Sequence, residues 1–320
     1  MSRLLPSKLS NQIKEKGQSL GFDMVGISKA EKLETEARDL ERWLNKGLNG
    51  KMSYMENYFD KRVDPTLLVP GAKSVISVIH NYFPQYNPQK EHGGPKISTY
   101  AWGKDYHTVL KKKLYQLFQY IHEICEAEIP GRVFVDSAPV MDKAWAKKSG
   151  LGWMGKNTNI INPKKGSWFF LGEIILDLTL SYDGPIRDYC GTCTKCIDAC
   201  PTSALKPYQL DANKCISYLT IELKEDMPEE FSDKLEGWAY GCDICQEVCP
   251  WNRFSTPHEE EEFLPLPHIS SFSLEEWEEI DEKAFKKMTR RTAMSRVRWD
   301  KMKNNLLMWK RNALKTQEKV

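Results

Sequence analysis

The sequence lacks a run of apolar residues long enough to cross a membrane. A spanning helix needs about 18 to 20 consecutive apolar residues, and no segment of this 320-residue chain approaches that length. The opening segment MSRLLPSKLSNQIKEKG is interrupted by polar residues before a signal-peptide hydrophobic region can form. We therefore expect a cytoplasmic protein with no membrane partner.

The sequence also lacks the glycine fingerprints of the common nucleotide-binding folds. It contains no P-loop, and no G-x-G-x-x-G stands after a strand pattern. The segment GLGWMGKN (150–157) matches the second motif by letter but follows a helical pattern. We interpret it as a loop whose backbone lies close to a flat ligand.

Cysteine is present, and its distribution is uneven. Eight of the nine cysteines lie between Cys190 and Cys249, while Cys125 stands alone on the apolar face of a predicted helix. Such crowding in a cytoplasmic protein favours metal or cluster ligation over disulfides. The first four cysteines of the group form C-x2-C-x2-C-x3-C followed by Pro201, which is the run found in bacterial ferredoxins. A second half ends before Pro250, with its first cysteine displaced upstream by an insertion at 216–241.

In the ferredoxin run, three cysteines hold one [4Fe–4S] cluster and the fourth reaches a second cluster. The pseudo-symmetry of the two halves predicts a first quartet made of Cys190, Cys193, Cys196 and Cys249. It predicts a second quartet made of Cys200, Cys215, Cys242 and Cys245. Because C-x2-C pairs also bind zinc, two zinc sites are the alternative. The three cysteines spaced by two residues each, and the Cys-Pro step that occurs twice, favour iron–sulfur clusters over zinc.

The first 180 or so residues alternate helical and strand patterns, which is typical of an α/β domain. The strand patterns are FDMVGIS (22–28), SVISVIHNY (74–82), RVFVDS (132–137) and SWFFLGEIILDL (167–178). The segment Asp183-Gly184-Pro185 then marks a join. We expect an α/β domain over 1–182, a ferredoxin-like domain over 183–255 and a short basic helical segment over 256–320.

Asp136 is a candidate proton donor because it follows the apolar strand RVFV. Open α/β sheets place their ligand crevices at the carboxyl ends of strands. A half-buried carboxyl at such a position has a raised pKa and can act as a general acid. The alternative is a structural turn or helix cap formed with Ser137 and Pro139.

Several longer segments together resemble one family. They are FVDSAP (134–139), AKKSGLGWMGKN (146–157), CISYLTIEL (215–223) and YGCDICQEVCPWN (240–252). With the interrupted ferredoxin motif, they resemble epoxyqueuosine reductases, and the resemblance extends from about residue 20 to 255. It implies an enzyme that reduces the epoxide of epoxyqueuosine at the wobble position of tRNA to give queuosine.

The resemblance also implies the cofactors, which are cobalamin and two [4Fe–4S] clusters. Residues 1–182 are then the cobalamin-binding catalytic domain, and an external donor of unknown identity supplies electrons through the clusters. Reduced cobalt engages the epoxide, and Asp136 supplies the proton with which oxygen leaves as water. Other positions that match cofactor-contacting residues of the family are Arg62, Ser98, Asp136, Ile160, Leu171, Ser217 and Asp243. For Ile160 and Leu171, a plain core role is the alternative.

Cobalt ligation by a histidine is not expected. DYHTVL (105–110) has Leu110 where the D-x-H-x-x-G motif of some cobalamin proteins needs glycine, so we interpret His107 as a polar residue in the first turn of a helix. Three rival functions stay open: another corrinoid iron–sulfur reductase of the dehalogenase kind, a non-catalytic electron-transfer subunit, and a nucleic-acid-binding protein with structural clusters. We expect a monomer.

The C-terminal residues 286–320 are strongly basic. They contain twelve Lys or Arg against two acidic residues, a net charge of +10, whereas the whole chain carries +2. This distribution, with Trp299 and Trp309 among the basic residues, predicts a tRNA-binding surface that contacts phosphates and stacks on bases. A solvated helix face is the alternative. Longer members of the family carry HEAT-like helical repeats here, and this chain ends soon after the ferredoxin region.

Deletion of this basic segment is expected to weaken tRNA binding and to flatten its dependence on salt, because fewer phosphates are neutralised. Affinity for tRNA measured across a salt series checks this. An affinity that is unchanged at every salt concentration would contradict the prediction.

Overall fold

The computed structural model describes residues 5–89 and 94–317, and the side chains of these residues up to 312. The ends of the first and third predicted domains, including Lys319 of the basic segment, lie outside the described residues. Within these ranges, no helix has both the length and the apolar character needed to cross a bilayer.

The longer strands form one four-stranded sheet in the order β1-β2-β7-β4. The strands are β1 (Met24–Lys29), β2 (Ser74–Asn81), β3 (Lys96–Ile97), β4 (Gly131–Phe134), β5 (Trp153–Met154), β6 (Ile160–Ile161), β7 (Phe169–Leu176), β8 (Leu205–Lys206), β9 (Gln209–Leu210) and β10 (Trp238–Tyr240). All three pairings in the sheet are antiparallel. The predicted mixture of helices and strands is therefore found, but the crevice rule for parallel sheets does not apply to Asp136. A sequence pattern of alternating helices and strands does not specify whether the strands are parallel or antiparallel, because a helix can connect strands in either arrangement.

Helices cover both faces of the sheet. They are α1 (Pro6–Ser19), α2 (Glu34–Asn45), α3 (Phe59–Val63), α4 (Tyr106–Cys125), α5 (Asp142–Lys148), α6 (Lys195–Asp198), α7 (Ile216–Ile221), α8 (Ile244–Glu247), α9 (Pro267–Ser270), α10 (Leu274–Glu279), α11 (Glu282–Met288) and α12 (Trp299–Gln317). Helices α1 and α4 pack on one face through a core that includes Ile13, Leu110 and Leu114. Helix α5 packs on the other face, where Trp145 meets Val75 and other apolar residues of the sheet.

The cysteine-rich region is fastened to the first region at several points. Strand β10 pairs in parallel with β3, which precedes α4 in the chain. At the predicted boundary, Asp183 accepts a hydrogen bond from the backbone N–H of Ile27 at 2.8 Å and pairs with Lys14 at 2.6 Å. The inserted segment 216–241 forms a small apolar core of its own that includes Leu219, Leu235 and Trp238.

The segment 150–157, predicted as a loop, forms part of a short hairpin. Strand β5 pairs with β6 in antiparallel fashion, and Gly152 lies directly before this pair. A Cβ atom at Gly152 would lie 2.6 Å from the backbone oxygen of Ile161. Glycine at this position therefore allows the close approach of the two strands. The approach of this backbone to a flat ligand stays a prediction.

Helix α12 is part of the folded core. Met302, Leu306 and Trp309 are buried, and Trp309 is only 6% exposed. The expectation that Trp309 stacks on a base is therefore wrong, because its ring already packs inside the protein. Asn305 donates hydrogen bonds to the backbone oxygens of Thr220 at 2.8 Å and Ala239 at 2.9 Å, which ties the helix to α7 and β10.

Replacing Asn305 with alanine leaves two buried backbone oxygens without these donors. We expect the free energy of unfolding to fall by about 1 to 3 kcal/mol, measured by anaerobic denaturant unfolding. The matched control is Asn304→Ala, because Asn304 is exposed and makes only a 3.5 Å contact with Asp226. Equal destabilisation by the two variants would contradict the assignment.

Candidate functional site

The first cysteine quartet surrounds a cavity of about 180 Å³. Four cysteines line it, and they are the predicted set Cys190, Cys193, Cys196 and Cys249. The β5–β6 hairpin forms one wall. The indole N–H of Trp153 donates to the sulfur of Cys190 at 3.4 Å, and the ammonium of Lys156 donates to the backbone oxygens of Gly191 and Cys193 at 2.7 and 3.0 Å.

The thiols of the second predicted quartet are half-buried. Burial raises the pKa of the Cys215, Cys242 and Cys245 thiols, and the charge of Cys215 raises the pKa of the other two further. Cys200 also raises the pKa of Cys215 and Cys245, which places it in their neighbourhood. The side-chain amide of Asn157, from the turn of the hairpin, donates to the backbone oxygen of Cys245 at 3.0 Å.

Asp136 lies in the loop after β4 and is surrounded by donors. The phenol of Tyr106 donates to Oδ2 of Asp136 at 2.7 Å, and Nε2 of His107 lies 3.2 Å from the same oxygen. The other ring nitrogen of His107 contacts Asp105, the N-cap of α4, at 2.7 Å. A guanidinium nitrogen of Arg296, from the C-terminal segment, lies 3.5 Å from Asp136.

These contacts determine which of the two side chains, Asp136 or His107, carries a proton at neutral pH. Burial alone would raise the pKa of Asp136, but hydrogen bonds from His107 and Tyr106 and the charge of Arg296 lower it to about 2. Burial would lower the pKa of His107, but its contacts with Asp105 and Asp136 raise it to about 9. The raised pKa predicted for Asp136 is therefore wrong for this arrangement. At neutral pH, His107 carries the proton and Asp136 is ionised.

Ser98 and Asp243 form a buried link beside the second quartet. The Ser98 hydroxyl donates to the Asp243 carboxylate, as do the backbone N–H and the hydroxyl of Thr99, both at 2.8 Å. Burial raises the pKa of Asp243 to about 6 against the effect of these hydrogen bonds. Ser217 lies in the first turn of α7, two residues after Cys215.

The remaining predicted residues occupy two different places. Ile160 and Leu171 belong to an apolar cluster with Phe169, and Ile160 is 3% exposed. Arg62 lies in α3 instead: its Nη2 donates to the backbone oxygen of Tyr54 at 2.8 Å, and its buried Nε has no hydrogen-bond partner among the described residues.

Sequence reasoning missed Lys143, Arg296 and the contact of His107 with Asp136. The Lys143 side chain is exposed, and its ammonium donates to the backbone oxygen of Thr158 at 2.9 Å. Four acidic groups lie within electrostatic reach of this ammonium; they are Cys245, Asp142, Asp136 and Cys215. Lys143 thus lies between the second quartet and Asp136. The only signal was its place in the helix that follows FVDSAP.

Comparisons with known proteins agree with this arrangement. The family profile described as "Epoxyqueuosine reductase QueG, DUF1730" matches residues 62–137, and that of a "4Fe-4S double cluster binding domain" matches 189–252. An epoxyqueuosine reductase from Leadbetterella byssophila is 56% identical over 93% of this chain and 97% of its own length. The one from Escherichia coli is 40% identical over 92% of this chain and 79% of its own.

Solved structures give the same result. Epoxyqueuosine reductase from Streptococcus thermophilus superimposes with a TM-score of 0.86 at 30% identity, covering 95% of this chain and 81% of that one. An epoxyqueuosine reductase with an epoxyqueuosine-modified tRNA-Tyr stem loop gives a TM-score of 0.82 at 32% identity, covering 94% and 80%.

The double-cluster domain and the catalytic region beside it define the class of protein, an iron–sulfur oxidoreductase. The identity to curated relatives over nearly the whole chain is more specific. This chain belongs to the epoxyqueuosine reductase family.

In the predicted ligand sets, the cysteine of each Cys-Pro step binds the cluster of the other half of the motif. Replacing these two cysteines is therefore expected to remove different clusters. Cys249→Ser is expected to remove the first cluster and Cys200→Ser the second, each leaving about half of the iron. Iron and sulfide analysis with paramagnetic resonance of the reduced protein checks this. Cys125→Ser is the control, because Cys125 lies outside both quartets. Loss of the same cluster in both variants would contradict the crossed assignment.

Proposed function

We propose that this protein reduces the epoxide of epoxyqueuosine to the alkene of queuosine at the wobble position of tRNA. The observation that carries the proposal is an order in space. The cysteine quartets come first, Lys143 follows, and the side chains that contact Asp136 come last. The family's name and the relative with a modified tRNA stem loop supply the substrate. A cytoplasmic location follows from a tRNA substrate.

Electrons are proposed to enter at the first quartet and leave from the second. The first lines a cavity together with Tyr189 and Arg253, and both of these side chains are exposed. Two thiols of the second, Cys215 and Cys245, lie within electrostatic reach of Lys143. A protonated lysine at this position stabilises negative charge that arrives one electron at a time. An external one-electron donor would therefore dock on the side of the first quartet.

Cobalamin is proposed as the cofactor, bound beside Lys143. The unpartnered Nε of Arg62 supports this, because a buried donor without a partner suits the amide oxygens or phosphate of the cofactor. The other residues proposed to hold it are Ser98, Asp136, Ile160, Leu171, Ser217 and Asp243. When bound, cobalamin supplies the strong metal nucleophile that an epoxide requires.

Asp136 is proposed to deliver the proton to the departing oxygen. In the structure it is ionised, but it shares the proton of His107 through the 3.2 Å contact, and this proton is held at every pH below about 9. Asp136 has a positive φ of 53° in the loop before α5. A Bacillus subtilis relative, with a TM-score of 0.83 and 32% identity, is described with its catalytic aspartate loop swung out of the active site.

The tRNA is proposed to contact the exposed basic side chains of the C-terminal segment, such as Lys303 and Arg298. Arg296 of this segment pairs with both Asp136 and Glu222, so tRNA bound here lies close to the proton donor. The proposed function is tested by anaerobic reconstitution, analysis of iron, sulfide and corrin, and incubation with epoxyqueuosine-containing tRNA. A full iron content without affinity for corrin would favour an electron-transfer subunit instead.

Replacing Asp136 with asparagine is expected to lower turnover by about 10²- to 10⁴-fold, since a general acid contributes this much. Iron content should be unchanged. The control is Asp39→Asn, because Asp39 lies on the exposed side of α2 and pairs only with Arg42. Single-turnover formation of queuosine measures the effect, and full activity in Asp136→Asn would remove the aspartate as donor.

A further inference from the structure

Four aromatic side chains connect the protein surface to the first cysteine quartet. Trp153, whose indole N–H contacts the sulfur of Cys190, lies 5.2 Å from Tyr189 between ring centres. Trp251 lies 5.1 Å from Trp153 and 5.8 Å from Phe254, also between ring centres. Tyr189 is 45% exposed and Phe254 is 39% exposed. The four rings therefore form a continuous contact from solvent to a predicted cluster ligand.

Two arginines flank the exposed rings. The guanidinium of Arg253 lies 4.5 Å from the ring centre of Phe254, and that of Arg187 lies 5.9 Å from the ring centre of Tyr189. Both arginines are exposed, and in the part of the chain that the structure describes neither forms an ion pair with a carboxylate. Unpaired arginines beside exposed aromatic rings suit a protein interface, since Trp, Tyr and Arg supply much of the binding energy there.

The surface around the first quartet has an excess of positive charge. Lys156 and Arg253 line the cavity, and no Asp or Glu is among the described residues that line it. The carboxylate of Asp188 accepts hydrogen bonds from the hydroxyl of Tyr208 at 2.6 Å and from the backbone N–H of Cys190 at 2.7 Å. The segment 187–198 adds two basic and two acidic residues that balance one another, which are Arg187, Lys195, Asp188 and Asp198. The excess therefore comes from the two cations of the cavity.

An acidic protein fits this surface better than a small reductant or tRNA does. The carboxylates of a protein can pair with both guanidinium groups, whose planar donors match a carboxylate. The same protein covers the exposed rings, which a small reductant leaves in water. The proposed tRNA contact lies elsewhere, because Arg296 of the basic segment pairs with Asp136, whereas the four rings end at Cys190.

We propose that Tyr189, Phe254, Arg187 and Arg253 form the docking surface for an acidic one-electron carrier protein. This inference rests on the proposed function and names the kind of donor that it needs. In each encounter the carrier loses one electron and the first cluster gains it. Two encounters supply the two electrons with which the epoxide becomes an alkene and water. Encounters of this kind bury little surface, and electrostatic attraction sets their rate.

Reduction of the clusters tests the docking surface without tRNA or cobalamin. The full chain with both clusters reconstituted is mixed anaerobically with reduced flavodoxin or, separately, with reduced plant-type ferredoxin, both of which are acidic. Bleaching of the cluster absorbance is followed by stopped flow across a salt series. The wild-type rate is expected to fall as salt rises. The double variant Arg187→Glu with Arg253→Glu should be at least about tenfold slower at low salt, because steering is lost.

Two controls separate docking from other effects of the charge change. Lys8→Glu with Arg38→Glu changes the total charge equally on exposed positions of α1 and α2, and it should react as fast as wild type. The methyl viologen radical is a small cation that needs no docking surface, so it should reduce the Arg187 and Arg253 double variant no more slowly than wild type. If that variant does not keep its iron, Arg187→Gln with Arg253→Gln serves in its place.

Three results would overturn the inference. One is a double variant that accepts electrons from both carriers as fast as wild type, and another is equal slowing with methyl viologen, which would indicate an altered cluster. The third is a loss of tRNA affinity with unchanged carrier rates, which would assign the surface to tRNA. A protein whose clusters are reduced through this surface but which leaves epoxyqueuosine unchanged would instead contradict the proposed function alone.

Discussion

The carboxylate of Asp243 accepts hydrogen bonds from the hydroxyl of Ser98 and from the backbone N–H and hydroxyl of Thr99. Much of the structure depends on this buried junction. Asp243 directly follows Cys242, so the junction fastens a ligand segment of the second quartet to the chain that leads into α4. The parallel pairing of β3 with β10 lies next to it. Because α4 begins with Tyr106 and His107, the same junction sets the second quartet relative to Asp136. An unpaired carboxylate at this depth would be costly, which keeps the two parts in one relative position.

Charged side chains lie between the cysteine quartets and Asp136. Lys143 lies between the thiols of the second quartet and the carboxyl groups of Asp142 and Asp136. His107 and Arg296 hold Asp136 in its ionised form. A reduction that couples electrons to protons needs both kinds of carrier close to one point. In the proposed reaction, the cysteine-rich region provides the electrons, and the loop between β4 and α5 provides the proton.

Local features of the site could be predicted from the sequence because they are encoded by short spacings. The helix predicted to begin near His107 is found as Tyr106–Cys125, and the strand predicted at 74–82 is found as Ser74–Asn81. The cysteine spacing predicted two quartets, and the four thiols of the first one line a single cavity. Long-range features could not be predicted. The antiparallel sheet, the burial of Trp309 and the approach of Arg296 to Asp136 depend on contacts between distant parts of the chain. The lowered pKa of Asp136 depends on three such neighbours, whereas the sequence indicated only burial.

The central claim is that both clusters serve a single reduction site. The most direct measurement is a single turnover with prereduced protein from which the external donor has been removed. The account predicts up to one queuosine formed per chain, with one electron lost from each cluster as followed by paramagnetic resonance. Formation of queuosine while either cluster stays reduced, or oxidation of both clusters without any queuosine, would contradict it.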